Sequence, residues 1–393
     1  MTTQAGVGFS NHEDARQAGA IAAAQAMEKL SGEADLVIAF TTDRYDQEAA
    51  VAGIRSEIGA ATLVGCCAGG VITAEELSAE ALTVMAVRSE GLKLHLAIDE
   101  GIQEDAQRVG ESVADALGEY LDTVDLSQRH VAAMVMADGL TGALTEVVQS
   151  LSDEMGPLCP LVGGGAGDNL QFLKTVQFID GDVRSDALFA ALLDAESPIG
   201  IGVGHGWKPV GNPLVVTRAE GNIVYEIDGR PAFDVYKEVW AEEAPDLSAE
   251  TFGAFAMGHP LGMPLGTGEY LIRDPLQVQE DGAIVFVATV PENAVVHMMH
   301  GDFDDLFAAA RDAAQQALDA LEGQPPAALI VFNCISRLLI MGDDAMTELD
   351  HIRDVVGADV PLIGMFSFGE IAPPSESGLA VLHNKTVVLC ALA

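Results

Sequence analysis

A small set of residues has the type and placement to do chemistry. Arg337 stands just past an apolar run, Ala328-Leu-Ile-Val-Phe332, within Asn333-Cys334-Ile335-Ser336-Arg337. A guanidinium there can form a two-pronged pair with a ligand carboxylate or with Glu370, because its fork matches a carboxylate's two oxygens. A structural ion pair with Glu370 or Asp343 is the alternative, and both stay open. Three glycine-rich segments come next: Gly65-Cys66-Cys67-Ala68-Gly69-Gly70, Gly163-Gly164-Gly165-Ala166-Gly167-Asp168 and Gly364-Met365-Phe366-Ser367-Phe368-Gly369-Glu370. Read as loops, they leave backbone N–H groups uncovered and could cradle a small anion. They could equally serve only to let strands pack closely and turn. None continues into Lys-Ser/Thr, and none is a G-x-G-x-x-G that opens a helix, so a nucleotide site is not indicated.

Other candidates are weaker. Cys66 and Cys67 would need an electropositive neighbour or a base to act as nucleophiles, and the sequence places none nearby. Cysteine more often serves as a small buried hydrophobe. His297-Met298-Met299-His300 is the one close histidine pair. On a helix both rings could reach one metal, but no third ligand is placed beyond Asp302, and no metal is assigned. His205, His259 and His297 are lone candidates for an axial haem ligand. No Ser-His-Asp order, HExxH or paired-carboxylate motif stands out.

The elements that must position these residues repeat. In each of three segments an apolar run leads into a polar loop, a helical stretch and a second apolar run that opens into glycines. The first segment has Leu36–Phe40, a helix over 47–58 and Thr62–Val64; the second has Val131–Met136, a helix over 144–155 and Pro160–Val162; the third has Ala328–Phe332, a helix over 345–356 and Pro361–Ile363. Buried strand, helix and buried strand make a parallel, right-handed unit. Antiparallel strands are expected after each. In such units ligands collect beyond the carboxyl ends of the strands. This places Thr41 to Arg44, Asp138 with Thr141, and Asn333 to Arg337 beside the glycine segments. Residues 100–126, read as an acidic helix, and 205–300 fall outside the repeat. Turn signals put a boundary near 211–221, giving domains 1–215 and 216–393 in an α/β fold of two lobes.

Composition narrows the function classes. Of 393 residues, 60 are acidic and 19 are Lys or Arg, for a net charge of −41. Such a surface repels nucleic acid and anionic membrane, and suits high salt, where repulsion is screened. Five cysteines in no CxxC pattern fit a reducing cytoplasm. No signal peptide and no uninterrupted apolar stretch of membrane length are read.

At Leu63-Val-Gly-Cys-Cys-Ala-Gly-Gly-Val-Ile72, Asn333-Cys-Ile-Ser-Arg337, Pro361-Leu-Ile-Gly-Met-Phe-Ser-Phe-Gly-Glu-Ile371 and His383-Asn-Lys-Thr386 the chain resembles the FIST family, with an N-terminal and a C-terminal FIST domain. The resemblance spans about Asp35 to Ala393. It implies an intracellular sensor of small ligands, amino acids or similar small carboxylates among them, that works with separate signalling proteins and carries out no catalysis. The expected site is a cleft between the domains, drawn from Asn333, Cys334, Arg337, Gly369, Glu370, Gly65, Cys66, Cys67, Gly69, Gly70, Gly163, Gly164, Asp168 and Asp138. No cofactor is required by this reading. Since some family members resemble haem proteins that sense nitric oxide, a haem sensor is the first alternative and a cysteine enzyme the second. One departure stands out: the first glycine segment often ends in Gly-Glu in the family, whereas Gly70-Val71 stands here. The oligomeric state is not read from the sequence.

Overall fold

A computed structural model describes residues 3–266, 268–374 and 378–393. The α/β architecture in two lobes expected from the repeat is present. The larger lobe is a ring of three six-stranded sheets, one per repeat. The smaller lobe, residues 208–300, is a twisted antiparallel assembly with helices Ala232–Val239 and Ala249–Ala256 on it.

Each repeat has the same order. An edge strand (Thr3–Ser10, Lys93–Glu100 or Ile199–Gly204) comes first, then a helix (Ala15–Glu28, Ile102–Leu121 or Phe303–Asp319). The parallel unit follows: Leu36–Thr41 with Thr62–Cys67, His130–Asp138 with Leu161–Ala166, and Ala328–Cys334 with Leu362–Ser367. A short hairpin and a long closing strand (Leu82–Ser89, Ala187–Ala195, Val387–Leu392) complete it. The acidic helix at 102–121 is therefore part of the repeat and not outside it. The smaller lobe is an insertion between the edge strand and the first helix of the third repeat. The turn signals at 211–221 fall within and at the end of one long strand, Lys208–Glu220, where Gly211, Asn212 and Pro213 sit at a register shift between Val210 and Leu214.

The three sheets are interlocked because each hairpin joins a neighbouring repeat's sheet. Val71–Thr73 of the first pairs with Leu362–Ser367 of the third; Gln177–Ile179 of the second pairs with Thr62–Cys67 of the first; Glu370–Ala372 of the third pairs with Leu161–Ala166 of the second. At the centre the backbones bond cyclically. Gly69 N–H donates to Phe366 O (2.9 Å), Gly167 N–H to Cys67 O (3.0 Å) and Phe368 N–H to Gly165 O (2.9 Å). The three donors occupy equivalent positions in the repeats, as do the three acceptors.

This corrects the reading of the glycine segments as loops. Gly65, Cys66 and Cys67 lie in a buried strand, as do Gly163 with Gly164, and Gly364. Gly65, Gly163 and Gly364 stand opposite Ala39, Val135 and Val331 on the parallel partner. A Cβ would fall 1.9, 1.8 and 2.5 Å from those residues' carbonyl oxygens. Only Ala68–Gly70, Gly167–Asp168 and Phe368–Gly369 turn, and the N–H groups of Gly69, Gly167 and Phe368 are spent on neighbouring repeats.

Inner faces of all three sheets meet in one core that includes Phe40, Met134, Met136, Phe189, Phe332, Met365 and Val388. The helices cover the outer faces. Alternate glycines let two of them approach closely: Gly6 and Gly8 lie under the carbonyls of Ala26 and Ala22, and Gly200 and Gly202 under those of Ala317 and Ala313. No helix among the described residues is long and apolar enough to cross a membrane.

Candidate functional site at the seam between the lobes

Strand Ala328–Cys334 is buried throughout and runs into helix Ile335–Met341, so Ser336 and Arg337 sit in a helix's first turn and not in an open loop. Beside them lies the turn Asn384-Lys385-Thr386, which joins strands Val381–His383 and Val387–Leu392. Lys385 holds a left-handed backbone there, φ +53°. Such a φ in a residue other than glycine marks a constrained turn. It aims the side chain at Asp274, at the base of the smaller lobe.

Asp274 is the clamp between the lobes. Ser336 Oγ donates to its Oδ2 at 2.6 Å, and Lys385 Nζ lies 3.0 Å from its Oδ1. Arg273 reinforces the contact: its Nη1 donates to Leu382 O at 3.1 Å, and its Nε to Thr289 O at 2.7 Å. Arg273, Asp274, Lys385 and Leu382 are buried, and Ser336 is half-buried. The Lys385–Asp274 approach is an ion pair by distance, yet its angle is too poor for a hydrogen bond, and the ammonium is left without one. The Oδ1 atoms of Asn333 and Asn384 are likewise buried and unbonded. Three unsatisfied polar atoms so close in the fold are a costly feature that structure alone does not require.

Arg337 is fully buried, and its partner is Glu348 rather than Glu370 or Asp343. Nε donates to Glu348 Oε1 at 3.0 Å, and Nη2 donates to the same oxygen. Nη1 donates to His205 O (2.7 Å) and Lys385 O (3.2 Å), and Nη2 also to Leu306 O (3.2 Å). Its nitrogens are occupied inside the protein, so a direct grip on a ligand carboxylate is not available in this arrangement. Glu348 Oε2 accepts from Asn333 Nδ2 at 2.7 Å. Removing the arginine would strand a buried carboxylate, at a cost of roughly 3–5 kcal/mol. Glu348 was hidden among 60 acidic residues; its position on the apolar face of helix Ala345–Val356 was the one available signal.

Glu370 is held apart from Arg337's donors. Its Oε1 accepts from Ser367 Oγ (2.7 Å) and its Oε2 from Thr386 N–H (3.2 Å). Burial pushes its pKa up to about 8, against the opposing effect of these bonds, so the carboxyl is largely protonated at neutral pH. Gly369, with φ +104°, makes the turn that delivers it. Asp138 and Asp168 brace loops. Asp138 accepts from Leu140 and Asp186 N–H, and Asp168 from the N–H groups of Phe172, Leu173 and Lys174.

All five cysteines are buried and free. Burial drives the thiols of Cys67, Cys159, Cys334 and Cys390 up to about 12, and raises Cys66 well above its ordinary value, so none is a thiolate at neutral pH.

A cavity of about 200 Å³ opens beside this cluster, between the lobes. The core contributes His205, His383, Asp312 and Gln316; the smaller lobe contributes Leu265, Glu269 and Tyr270. Burial lowers His205 to about 4 and His383 to about 3, so both imidazoles are neutral. The cavity lies at the carboxyl end of strand Ile199–Gly204, where α/β ligands collect. It is smaller than the roughly 300 Å³ at which drug-sized pockets begin, and a porphyrin does not fit it. His259 is no better placed for haem, being stacked on Phe255 and against Trp240. His297 and His300 lie on a strand, Val295–His300, and not on a helix; the β-branched Val295 and Val296 open it, and alternation turns the two rings to opposite faces.

The FIST N domain matches residues 35–230, and the FIST C domain matches 232–373. The chain belongs to the FIST family. FIST domains are associated with sensing small ligands in signalling. An uncharacterised protein of Mycobacterium tuberculosis is 28% identical over 392 residues, covering 97% of each chain. One from Methanocaldococcus jannaschii is 25% identical over 303 residues, covering 73% of this chain and 58% of its own. Among solved structures, a chorismatase has a TM-score of 0.37 at 10% identity, covering 100% of both chains. A cyanuric acid hydrolase from A. caulinodans has 0.34 at 10% identity, covering 100% of this chain and 99% of its own. Likenesses of that size carry no inference about activity.

Proposed function

We propose that this FIST protein senses a small, amine-bearing ligand held in the cavity between its lobes. The observation that carries the reading is the lining itself. Two carboxylates, Asp312 and the already partnered Glu269, and two neutral imidazoles line the cavity, and among the described residues no lysine or arginine does. That lining attracts a cation or a hydrogen-bond donor and offers nothing to balance a lone carboxylate. An amino acid is accommodated through its ammonium group; a simple carboxylic acid is not. The location supports a sensing role, because a ligand touching Tyr270 on one side and His205 on the other bridges both lobes. It would bias their relative arrangement by its differential affinity for the two. With the thiols protonated and buried, the cysteine-enzyme alternative has no activated nucleophile to rest on.

The test is calorimetric titration with matched pairs: free amines and amino acids against their N-acetylated forms. Binding confined to the free amines, and weakened at least about tenfold in Asp312→Asn, a loss of about 1.4 kcal/mol, is expected. Equal binding of the acetylated forms, or undiminished binding in Asp312→Asn, rejects the reading.

A further inference from the structure

Glu243, His259 and His300 are far apart in sequence and meet in the smaller lobe. Glu243 lies in the turn after helix Ala232–Val239, His259 follows helix Ala249–Ala256, and His300 ends strand Val295–His300. One ligand atom from each lies within 4.8 Å of the others. The His259 ring is held rigidly. It is stacked on Phe255 at 3.9 Å with 7° between planes, and Trp240 packs edge-on against it at 4.3 Å. Its Nδ1 is 2.8 Å from Phe255 O, and its Nε2 is 2.9 Å from Glu243 Oε1.

A backbone carbonyl can only accept, so Nδ1 carries a proton. In the neutral ring Nε2 is then a bare lone pair, and a lone pair 2.9 Å from a carboxylate oxygen is repulsive unless a positive centre lies between them. A second ring proton would serve, giving an imidazolium–carboxylate pair. So would a metal ion. A histidine bound through Nε2 with Nδ1–H on a backbone carbonyl is the arrangement by which outer contacts fix a metal-binding imidazole. The second imidazole, His300, faces the first at 5.3 Å and supplies what an ion pair does not need. The cation nearest in the strand ladder, Lys208 opposite His300, is engaged by Asp305 and does not compete for the carboxylate.

We propose that His259, His300 and Glu243 bind one divalent transition-metal ion of the zinc class, leaving a fourth position open. Two imidazoles and a carboxylate suit that class and not magnesium or calcium, which take oxygen ligands. The place in the fold gives the ion a task. His300 ends the strand that returns from the smaller lobe to the core, paired with Lys208 on the outgoing strand. Asp302, two residues on, caps helix Phe303–Asp319, which carries Asp312 and Gln316 to the cavity. An ion here ties two loops of the smaller lobe to the crossing between lobes.

The test uses the untagged protein, stripped of metal, in high salt with excess Mg²⁺, so that the acidic surface is saturated. Titration with Zn²⁺ is expected to show one site per chain with micromolar or tighter affinity. Co²⁺ is expected to develop visible absorption bands and to quench Trp240 fluorescence. His300→Ala, at an exposed position, should weaken Zn²⁺ binding more than about 100-fold, beyond the loss of an outer-shell contact. His12→Ala, remote in the fold, should leave it unchanged. No saturable Zn²⁺ or Co²⁺ binding overturns the proposal. Binding retained in both His300→Ala and Glu243→Gln overturns it as well, reducing the ion to an adventitious one.

Discussion

Three buried titratable groups at the seam pull stability in opposite directions with pH. Glu370 titrates near 8 in the folded protein because burial disfavours its charged form. Its ordinary value is 4.5, so between those limits the folded state holds a proton that the unfolded state has lost. Its contribution is therefore complete in acid and is lost as pH rises towards 8. His205 and His383 do the reverse. Their folded values, about 4 and about 3, lie below the ordinary 6.5, so their contribution is complete above 6.5 and is lost as pH falls. Two histidines outweigh one carboxyl below 6.5, and the carboxyl acts alone above it. Denaturant midpoints measured from pH 5 to 9 should peak near 6.5, and Glu370→Gln should abolish the fall on the alkaline side while keeping the acid limb. An unchanged alkaline limb in that variant would show that Glu370 is already ionised in the folded state. At this scale the sequence placed Asn333 and Arg337 just past a buried strand and Glu370 at the end of a glycine segment, and offered all three as ligand contacts. It was silent on their partners, because partner choice among abundant carboxylates is decided by helix phase and by the turn at Lys385, not by spacing.

The strand–helix–strand triplets were legible because both strands of each are buried on two faces and read as unbroken apolar runs, Leu36–Phe40 and Ala328–Phe332 among them. The first half of each repeat was not recognised as part of it. Thr3–Ser10 and Ile199–Gly204 are edge strands, thinned by Gly6, Gly8, Gly200 and Gly202 to admit a helix, and lack the apolar density that marks a buried strand. The hairpin exchange is also invisible locally, since Glu370–Ala372 carries no sign that it pairs with Gly163 and Gly164 rather than with its own sheet. The glycines, read as cradles, are spacers between paired strands, and this has a measurable consequence. Gly163→Ala puts a Cβ against rigid backbone on Val135, a carbonyl that cannot swing aside without breaking the parallel ladder. A loss of about 1–3 kcal/mol or more is expected from such overpacking. Gly142→Ala, whose Cβ meets nothing within 4 Å but whose φ is +75°, isolates the backbone cost, about 1 kcal/mol. Urea unfolding of the two variants should rank Gly163→Ala as the more damaging; equal losses would mean that the strand pair separates easily and that close approach is not what the glycine provides.

For the whole molecule the dominating quantity is charge. Among the described residues only Asp138, Asp168, Asp194, Asp274, Glu348 and Glu370 are buried acids, so nearly all of the 60 carboxylates lie at or near the surface. Most basic residues are already committed to ion pairs, such as Arg108 with Asp99 and Arg184 with Glu100, and exposed pairs of this kind contribute about 0–1 kcal/mol each. They cannot offset a net charge of −41. The repulsion acts over the Debye length, about 3 Å at 1 M salt and about 30 Å at 0.01 M. At high salt each carboxylate is shielded even from its neighbours; at low salt charges across a whole lobe repel one another. The fold offers a definite place for the strain to appear. The smaller lobe is held to the core by Arg273 and Asp274 on Leu382, Ser336 and Lys385, contacts that are buried or half-buried and so less screened, whereas the repulsion between the lobes is carried by exposed groups. Thermal melts between molar and millimolar NaCl should show a melting temperature that falls steadily as salt is lowered. Limited proteolysis at the low-salt end should cut first where the lobes join, at 205–207 and 300–302. A melting temperature independent of salt would mean that carboxylate repulsion is not a main term in this protein's stability, and early cutting within the ring of sheets would mean that the seam is not its weakest joint.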